Sequence, residues 1–330
     1  MIQRRALLFS AGASLLLPAC GQSSEGKATS LETEATEIPA TVTVPSTATQ
    51  GQALNGTAPP GAEISIGDAT TVTNAQGKFV IGFDRDAAPA ALVRVRLASG
   101  EESEHAVTVS ARDYDNQTIS QTTTRGSLFP AEWFDPDGGA TDGDAAAVAE
   151  ADALASRSLS AADAARIQRE SILKREAFGS RDDTVSGFAT VWAPPVQGVR
   201  ISSPWGASRS VSTPQGRVRR THYGIDIAAL SNTPIVAPAE ARVVLANDDL
   251  YYEGGCVFLD HGQGLVTVYL HMNSVDVAVG DVVQAGHQIG AVGSTGRATG
   301  PHLCWRMKWR NANLDPTLLL PGGAASLLRT

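Results

Sequence analysis

The sequence has few aromatic residues, few cysteines and no excess of positive charge. Aromatic side chains make up 5% of the 330 residues, while glycine, alanine, serine and threonine are common. This composition favours β-structure and loops over large helical cores. The formal net charge is −8, and the acidic excess lies before residue 186. Because nucleic-acid-binding domains carry a basic surface, the charge balance argues against a nucleic-acid partner.

Long hydrophobic runs are also missing, apart from one near the N-terminus. Residues 6–17 are apolar and follow Arg4 and Arg5, but the run is too short to span a bilayer as a helix. It ends in Leu-Pro-Ala-Cys, with the cysteine at Cys20. This N-terminus resembles a bacterial lipoprotein signal, which predicts removal of residues 1–19 and lipidation of Cys20. A plain secretory signal cut near Cys20 is the alternative.

Both alternatives place the mature protein outside the cytoplasm. The lipoprotein interpretation predicts a membrane-anchored protein that faces the periplasm. Residue Gly21 follows the cysteine, where many lipoproteins retained in the inner membrane have aspartate. We therefore expect the outer membrane as the location. Residues 20–39 are rich in serine, threonine, glutamate and alanine, which predicts a flexible tether.

Alternating short runs follow in residues 40–111, separated by proline- and glycine-containing turns. Period-2 alternation with frequent turns predicts a small antiparallel β-sandwich. The segment resembles bacterial Ig-like modules and contains no catalytic constellation. A spacer or adhesion role is the expectation for it.

Residues 112–184 read as an irregular stretch followed by a helical connector. Ser160 and Asp163 form a capping-box signature, and Gly179 is a natural stop for the helix. A partner-binding helix is possible here, but a simple arm is the preferred interpretation. β-branched runs return in residues 185–320, which predict a second, mostly antiparallel β-domain, and residues 321–330 form a tail.

Histidines are concentrated in this second β-domain. Five of the six lie between His222 and His302. A His-x-Gly-x-Asp string places His222 four residues before Asp226, and both side chains can face one metal if Gly224 lets the backbone turn tightly. His271 stands at the predicted end of an apolar strand.

His302 lies two residues before Cys304. On a strand, side chains two residues apart project to the same face, so these two groups point toward one site. Imidazole, carboxylate and thiolate are all normal zinc donors.

Together these motifs resemble the LytM-like, M23-type metallopeptidases, over roughly residues 201–316. The resemblance implies an antiparallel β-sheet groove, one zinc ion per chain and a peptidoglycan peptide as substrate. It implies that His222 and Asp226 bind zinc and that His271 and His302 are catalytic.

The third ligand position falls on Cys304, where that family usually has histidine. A thiolate binds zinc well, but with Asp226 it neutralises both charges of the ion, so activity is expected to survive in reduced form. An alternative is a disulfide between Cys256 and Cys304, which would remove the thiolate ligand.

The sequence thus predicts a mainly β, exported zinc endopeptidase that hydrolyses the peptide cross-links of peptidoglycan. The competing hypothesis is a non-catalytic LytM-like regulator that binds and activates another cell-wall hydrolase or a division partner. Retention of metal-binding residue types at every site position favours the enzyme. A pure wall-adhesion lipoprotein is the weakest of the three hypotheses.

Overall fold

The computed structural model describes residues 41–119, 159–213 and 216–329. These residues belong to one compact unit, Glu37–Thr330. The predicted signal, the lipidation site Cys20 and the tether lie outside the described residues. Within the described part of the chain, no helix is both long and apolar enough to cross a membrane.

The first described segment forms a five-stranded and a two-stranded β-sheet, and its last strand joins a third sheet. Its strands are β1 Thr47–Thr49, β2 Ala53–Thr57, β3 Glu63–Ile66, β4 Ala69–Val72, β5 Lys78–Gly82, β6 Ala90–Arg96, β7 Glu102–Ser110 and β8 Asn116–Ile119. One sheet has the order β1-β7-β6-β3-β4, and β2 pairs with β5. Along β6, Val93 and Val95 are buried while Arg94 and Arg96 are exposed, as the alternating sequence predicts.

The helix of the predicted connector, α1, spans Ala161–Phe178. Ser160 caps it, accepting a hydrogen bond from the backbone N–H of Asp163, and Gly179 ends it, so both predicted boundaries are confirmed. The buried residues of α1 include Glu170 and Lys174 beside Ile167. Charged groups therefore form part of the docked face.

The rest of the chain is a second β-structure built on a ten-stranded sheet. Its strands are β9 Arg200–Ser203, β10 Ser208–Thr213, β11 Gly216–Thr221, β12 Gly224–Ala228, β13 Pro234–Val236, β14 Ala241–Leu250, β15 Gly254–Asp260, β16 Leu265–Val275, β17 Val282–Val283, β18 Gln288–Val292, β19 His302–Trp309 and β20 Ala312–Leu314. Three short 3₁₀ helices complete it: Gly187–Ala189, Pro316–Leu319 and Gly323–Leu327.

The central path of the large sheet is β17-β14-β15-β16-β19-β12-β9. Its inner strands are antiparallel and almost wholly buried. The side chains on one face of these strands belong to the main core, which includes Trp305. β10 and β11 form a hairpin in a separate three-stranded sheet, where β8 pairs with β10 in parallel.

The two β-structures are joined by hydrogen bonds as well as by apolar contacts. Gln263 reaches from the turn between β15 and β16 into the first β-structure. Its carbonyl oxygen accepts from the backbone N–H of Val80 at 3.0 Å, and its amide donates to the carbonyl of Val72 at 2.8 Å. A shared core connects the two structures, and the division of the chain at residue 184 stays a prediction.

The mainly β fold predicted from the sequence is confirmed. The first β-structure differs from the expected antiparallel sandwich at one edge, where β1 runs parallel to β7. The second is mostly antiparallel as expected, with one parallel pair between β8 and β10. Another difference concerns β16, which continues to Val275, so His271 lies within the strand and not at its end.

Candidate metal and catalytic site

Three predicted donor residues converge at the middle of the β12–β19 pair. Asp226 on β12 is directly opposite Cys304 on β19, and His222 stands just before β12. The Nε2 atom of His222 lies 3.3 Å from Oδ1 of Asp226 and 3.5 Å from Sγ of Cys304. All three donor atoms lie within 4.8 Å of one another.

Gly224 has a role that differs from the one predicted. It does not form a tight turn but begins β12, opposite Arg306. A Cβ atom at this position would lie 2.9 Å from Sγ of Cys304 and 2.9 Å from Cγ of Arg306. Glycine is therefore needed at position 224, because the side chains of Cys304 and Arg306 approach its backbone closely.

Two observations indicate that these residues fit a zinc ion: the chemistry of the donor atoms, and a buried oxygen atom that has no hydrogen-bond partner. The Oδ1 atom of Asp226 is buried and has no hydrogen-bond partner. It faces an imidazole nitrogen and a sulfur, so one cation between the three donors would satisfy it. The mixed nitrogen, oxygen and sulfur set is one that zinc accepts.

The predicted catalytic histidines lie together beside these donors. The rings of His271 and His302 have centroids 4.8 Å apart, and Nε2 of His302 lies 3.8 Å from Oδ1 of Asp226. The Nδ1 atom of His271 bonds the carbonyl of Thr295 at 3.0 Å, and that of His302 bonds the carbonyl of Gly300 at 2.8 Å. Since a carbonyl only accepts, Nδ1 carries the proton in each ring and Nε2 is free to accept one.

The backbone of His271 is unusual, with φ of 65° in the left-handed region. A non-glycine residue adopts this conformation only where its surroundings hold it. The N–H of His271 bonds the carbonyl of Glu253 at 2.9 Å, and the strand pairing shifts register nearby. The bulge thus aims the ring at His302 from a strand interior.

Burial dominates the electrostatics of the cluster. It lowers the pKa of His222 to about 4 and that of His271 to about 4, so both rings are neutral near pH 7. Burial raises the pKa of Cys304 to about 12. It also acts to raise the pKa of Asp226, but His222 and Arg209 beside the carboxylate hold that pKa well below its usual range.

Two arginines that the sequence motifs do not indicate also belong to the site. Nη2 of Arg209 on β10 lies 2.6 Å from Oδ2 of Asp226 and 3.0 Å from Nδ1 of His222. Nε of Arg306 lies 3.5 Å from Sγ of Cys304. Strand parity could have indicated Arg306, which is two residues beyond Cys304 on β19. Arg209 comes from another sheet and leaves no spacing signal.

Cys256 and Cys304 are both free and buried. They lie on β15 and β19, and β16 runs between these two strands. The thiol of Cys304 is thus available to the donor cluster, and the disulfide alternative has no support in this arrangement.

Residues 220–316 match Peptidase family M23. The match covers the segment that holds the three donors and the two histidines.

Relatives and solved structures extend the likeness to different parts of the chain. The DD-carboxypeptidase/endopeptidase Mpg of Neisseria meningitidis is 37% identical over 122 residues, which are 37% of this chain and 27% of Mpg. The uncharacterized lipoprotein YgeR of Escherichia coli is 31% identical over 117 residues, 36% of this chain and 46% of YgeR. The chain therefore spans less than half the length of these curated relatives.

A crystal structure of a family M23 protein from Pseudomonas aeruginosa covers 84% of this chain and 95% of its own. Its TM-score is 0.56 at 24% sequence identity. This likeness concerns the fold alone, and it extends well beyond the peptidase segment.

Proposed function

We propose that this protein is a zinc-dependent endopeptidase that hydrolyses the peptide cross-links of peptidoglycan. The observation that carries the proposal is the convergence of three donors, His222, Asp226 and Cys304, beside the histidine pair. The likeness to Mpg, which is named a DD-carboxypeptidase/endopeptidase, supports peptide hydrolysis, and ShyA of Vibrio cholerae, another relative, is named a peptidoglycan DD-endopeptidase.

The three donors would hold one zinc ion per chain. When bound, zinc supplies a Lewis acid that polarises the scissile carbonyl and promotes attack by water. His271 and His302 divide the proton transfers, because each has its Nδ1 fixed by a carbonyl, which leaves Nε2 to accept a proton. One ring accepts the proton of the attacking water, and the pair returns a proton to the leaving amine. The charged form of a ring then stabilises the negative charge that develops on the carbonyl oxygen.

Export and anchoring belong to the same proposal. The apolar run after Arg4 and Arg5 ends at Cys20, and one relative is named as a lipoprotein. We place the mature chain at the periplasmic side of the outer membrane, tethered by a lipid on Cys20.

The experiment is digestion of purified peptidoglycan by the full-length chain, followed by chromatography and mass spectrometry of the fragments. Zinc content is measured on the same sample. We expect conversion of cross-linked dimers to monomers with one zinc ion per chain, and loss of both in the Asp226→Ala variant. Stoichiometric zinc without any cleavage would refute the catalytic part of the proposal.

One observation favours the alternative of a non-catalytic regulator. Arg209 contacts both His222 and Asp226, so a positive charge already faces the carboxylate that zinc needs. A regulator would bind cell-wall hydrolase partners and stimulate them without zinc. Absence of zinc from the purified chain, together with stimulation of a partner hydrolase, would select this alternative.

A further inference from the structure

The contact of Arg209 with the donor cluster has a consequence for metal binding. We infer that Arg209 stabilises the metal-free form of the cluster and has to leave His222 before zinc binds. The inference rests on the proposed zinc site and concerns its regulation. It follows from hydrogen-bond directions, charge and the sheet to which Arg209 belongs.

Hydrogen-bond directions give the first step. A guanidinium only donates, so Nδ1 of His222, 3.0 Å from Nη2 of Arg209, has to accept. The neutral ring then carries its proton on Nε2, which lies 3.3 Å from Oδ1 of Asp226 and 3.5 Å from Sγ of Cys304. Zinc needs the lone pair of that same Nε2 atom. The tautomer that Arg209 selects is therefore the one that cannot bind the metal.

A replacement partner for the other tautomer is already in place. Ser203 Oγ lies 3.2 Å from Nδ1 of His222 and accepts a hydrogen bond from Arg209 at 2.8 Å. A hydroxyl can accept as well as donate. When the proton moves to Nδ1, the hydroxyl oxygen of Ser203 can accept a hydrogen bond from Nδ1–H. The guanidinium N–H of Arg209 cannot, because it is itself a donor and repels that proton. Metal ligation and the Arg209–His222 contact thus exclude each other.

Charge adds a second competition. Nη2 of Arg209 lies 2.6 Å from Oδ2 of Asp226 and neutralises the carboxylate that zinc would use. A guanidinium and a divalent cation next to one carboxylate repel each other in a poorly hydrated site. The side chain of Asp226 is 13% exposed, so this repulsion is only partly screened.

The contact of Arg209 is built so that it can be released. Only Nη2 engages the cluster, and the buried Nε atom has no hydrogen-bond partner, so the paired fork typical of permanent arginine–carboxylate bridges is not formed. Arg209 also stands on β10, in the three-stranded sheet, while Asp226 and Cys304 stand on the large sheet. The side chain can therefore withdraw without disturbing the strands that hold the donors.

The test compares the zinc affinity of three full-length variants with that of the full-length wild type, using competition with a chromophoric chelator. Arg209→Met removes the guanidinium, and we expect zinc to bind roughly 10-fold more tightly, which corresponds to about 1.4 kcal/mol. Arg209→Lys keeps a donor and a charge and should stay close to the wild type. Arg200→Met, which removes an exposed arginine on β9, is the matched control and should leave the affinity unchanged.

Thermal unfolding supplies a second readout. In chelator, Arg209→Met should unfold at a lower temperature than the wild type, because Asp226 loses its counter-charge. With zinc bound, the two unfolding temperatures should agree. If Arg209→Met does not fold without metal, Arg209→Gln, which removes the charge but keeps a polar side chain, replaces it in the affinity comparison and should also bind zinc more tightly than the wild type.

Unchanged or weaker zinc binding by Arg209→Met overturns the inference, because Arg209 then supports ligation. A gain of the same size in Arg200→Met also overturns it, since net charge alone would explain the effect. If the wild type binds zinc and only the comparison fails, the proposed function stands. If neither the wild type nor any variant binds zinc, the proposed function fails and the inference fails with it.

Discussion

Asp226 and Cys304 are directly opposed residues of the antiparallel pair β12–β19, so the sheet register itself brings two donor groups together. Opposed residues on one face have Cβ atoms roughly 4.5–5.5 Å apart. A shift of the register by one residue would send one donor to the other face of the sheet. The geometry of the site is therefore protected by the pairing of a buried strand and not by a loop.

Gly224→Ala tests how closely the third donor approaches the backbone. The added Cβ atom would lie 2.9 Å from Sγ of Cys304, and either the strand or the thiol has to move. We expect a loss of stability of about 1–3 kcal/mol, typical of overpacking, together with weaker zinc binding. Urea unfolding and zinc titration measure the two effects.

The matched control is Gly322→Ala in the C-terminal segment, where the nearest atom to an added Cβ is Ser326 Cβ at 3.1 Å. It should leave zinc binding unchanged. Equal zinc affinity in both glycine variants would show that the space at Gly224 is not needed for the ligand.

His271→Ala and His302→Ala should separate catalysis from metal binding. Neither ring is one of the three converging donors, so both variants should keep zinc. Each loses a proton acceptor, and turnover should fall on the order of 10²-fold or more. Zinc content and the rate of cross-link cleavage are measured on the same samples, with His287→Ala, an exposed histidine, as the control. Loss of zinc in either variant would instead make that histidine a ligand.

The sequence predicts part of this site because strand parity is a local rule. His302 and Cys304 share a face by their spacing, and the structure brings both next to Asp226 as expected. Arg209 could not be predicted, since its position depends on how a separate hairpin packs against the large sheet. The bulge at His271 could not be predicted either, because a distant carbonyl, that of Glu253, holds it.

The helix shows a similar limit at the level of packing. Its capping residues follow from local hydrogen-bond chemistry, so Ser160 and Gly179 are predictable. Its docked face is not, because lysine and glutamate usually face water. Lys174 is buried only because Glu253 lies opposite it, at 2.5 Å between Nζ and Oε1.

Lys174→Met should therefore be strongly destabilising. The side chains of Lys174 and Glu253 are 8% and 11% exposed, and Oε2 of Glu253 already has no hydrogen-bond partner. Removing one member of such a pair leaves a buried charge and costs about 3–5 kcal/mol. Urea unfolding measures the loss.

Replacing both Lys174 and Glu253 with apolar residues should recover most of the lost stability. Arg175→Met, at an exposed neighbour on the same helix, is the control and should change stability by less than about 0.5 kcal/mol. A small effect of Lys174→Met would mean that water reaches the pair.

Acid should destabilise the fold through His261. Its ring is fully buried between the carbonyl of Glu240 and the hydroxyl of Thr267, and burial lowers its pKa to about 3. The unfolded chain has the ordinary pKa near 6.5, so it takes up a proton first as the pH falls. The stability from this residue is complete above about pH 6.5 and is lost toward pH 3, by about 1.4 kcal/mol per pH unit.

Urea unfolding of the wild type and of His261→Asn between pH 4.5 and pH 7.5 measures this slope. We expect a shallower pH dependence in the variant. His287→Asn, at an exposed position, is the control and should keep the slope of the wild type. Equal slopes in all three proteins would show that His261 is protonated in the folded state.

Cys304→His is the most informative change, because it restores the donor that family M23 usually has. It replaces a negative ligand with a neutral one, so the zinc site gains one positive charge and the metal becomes a stronger Lewis acid. The pH optimum of cleavage should fall.

Arg306 provides a second test of the sulfur ligand, since its Nε–H donates to Cys304 Sγ at 3.5 Å and stabilises the thiolate form of that sulfur. Arg306→Met should weaken zinc binding in the Cys304 chain but not in the Cys304→His chain, where no thiolate needs the guanidinium. Zinc titration of the four proteins gives this difference directly. Equal losses in both backgrounds, or stoichiometric zinc in Cys304→Ala, would remove the sulfur from the ligand set.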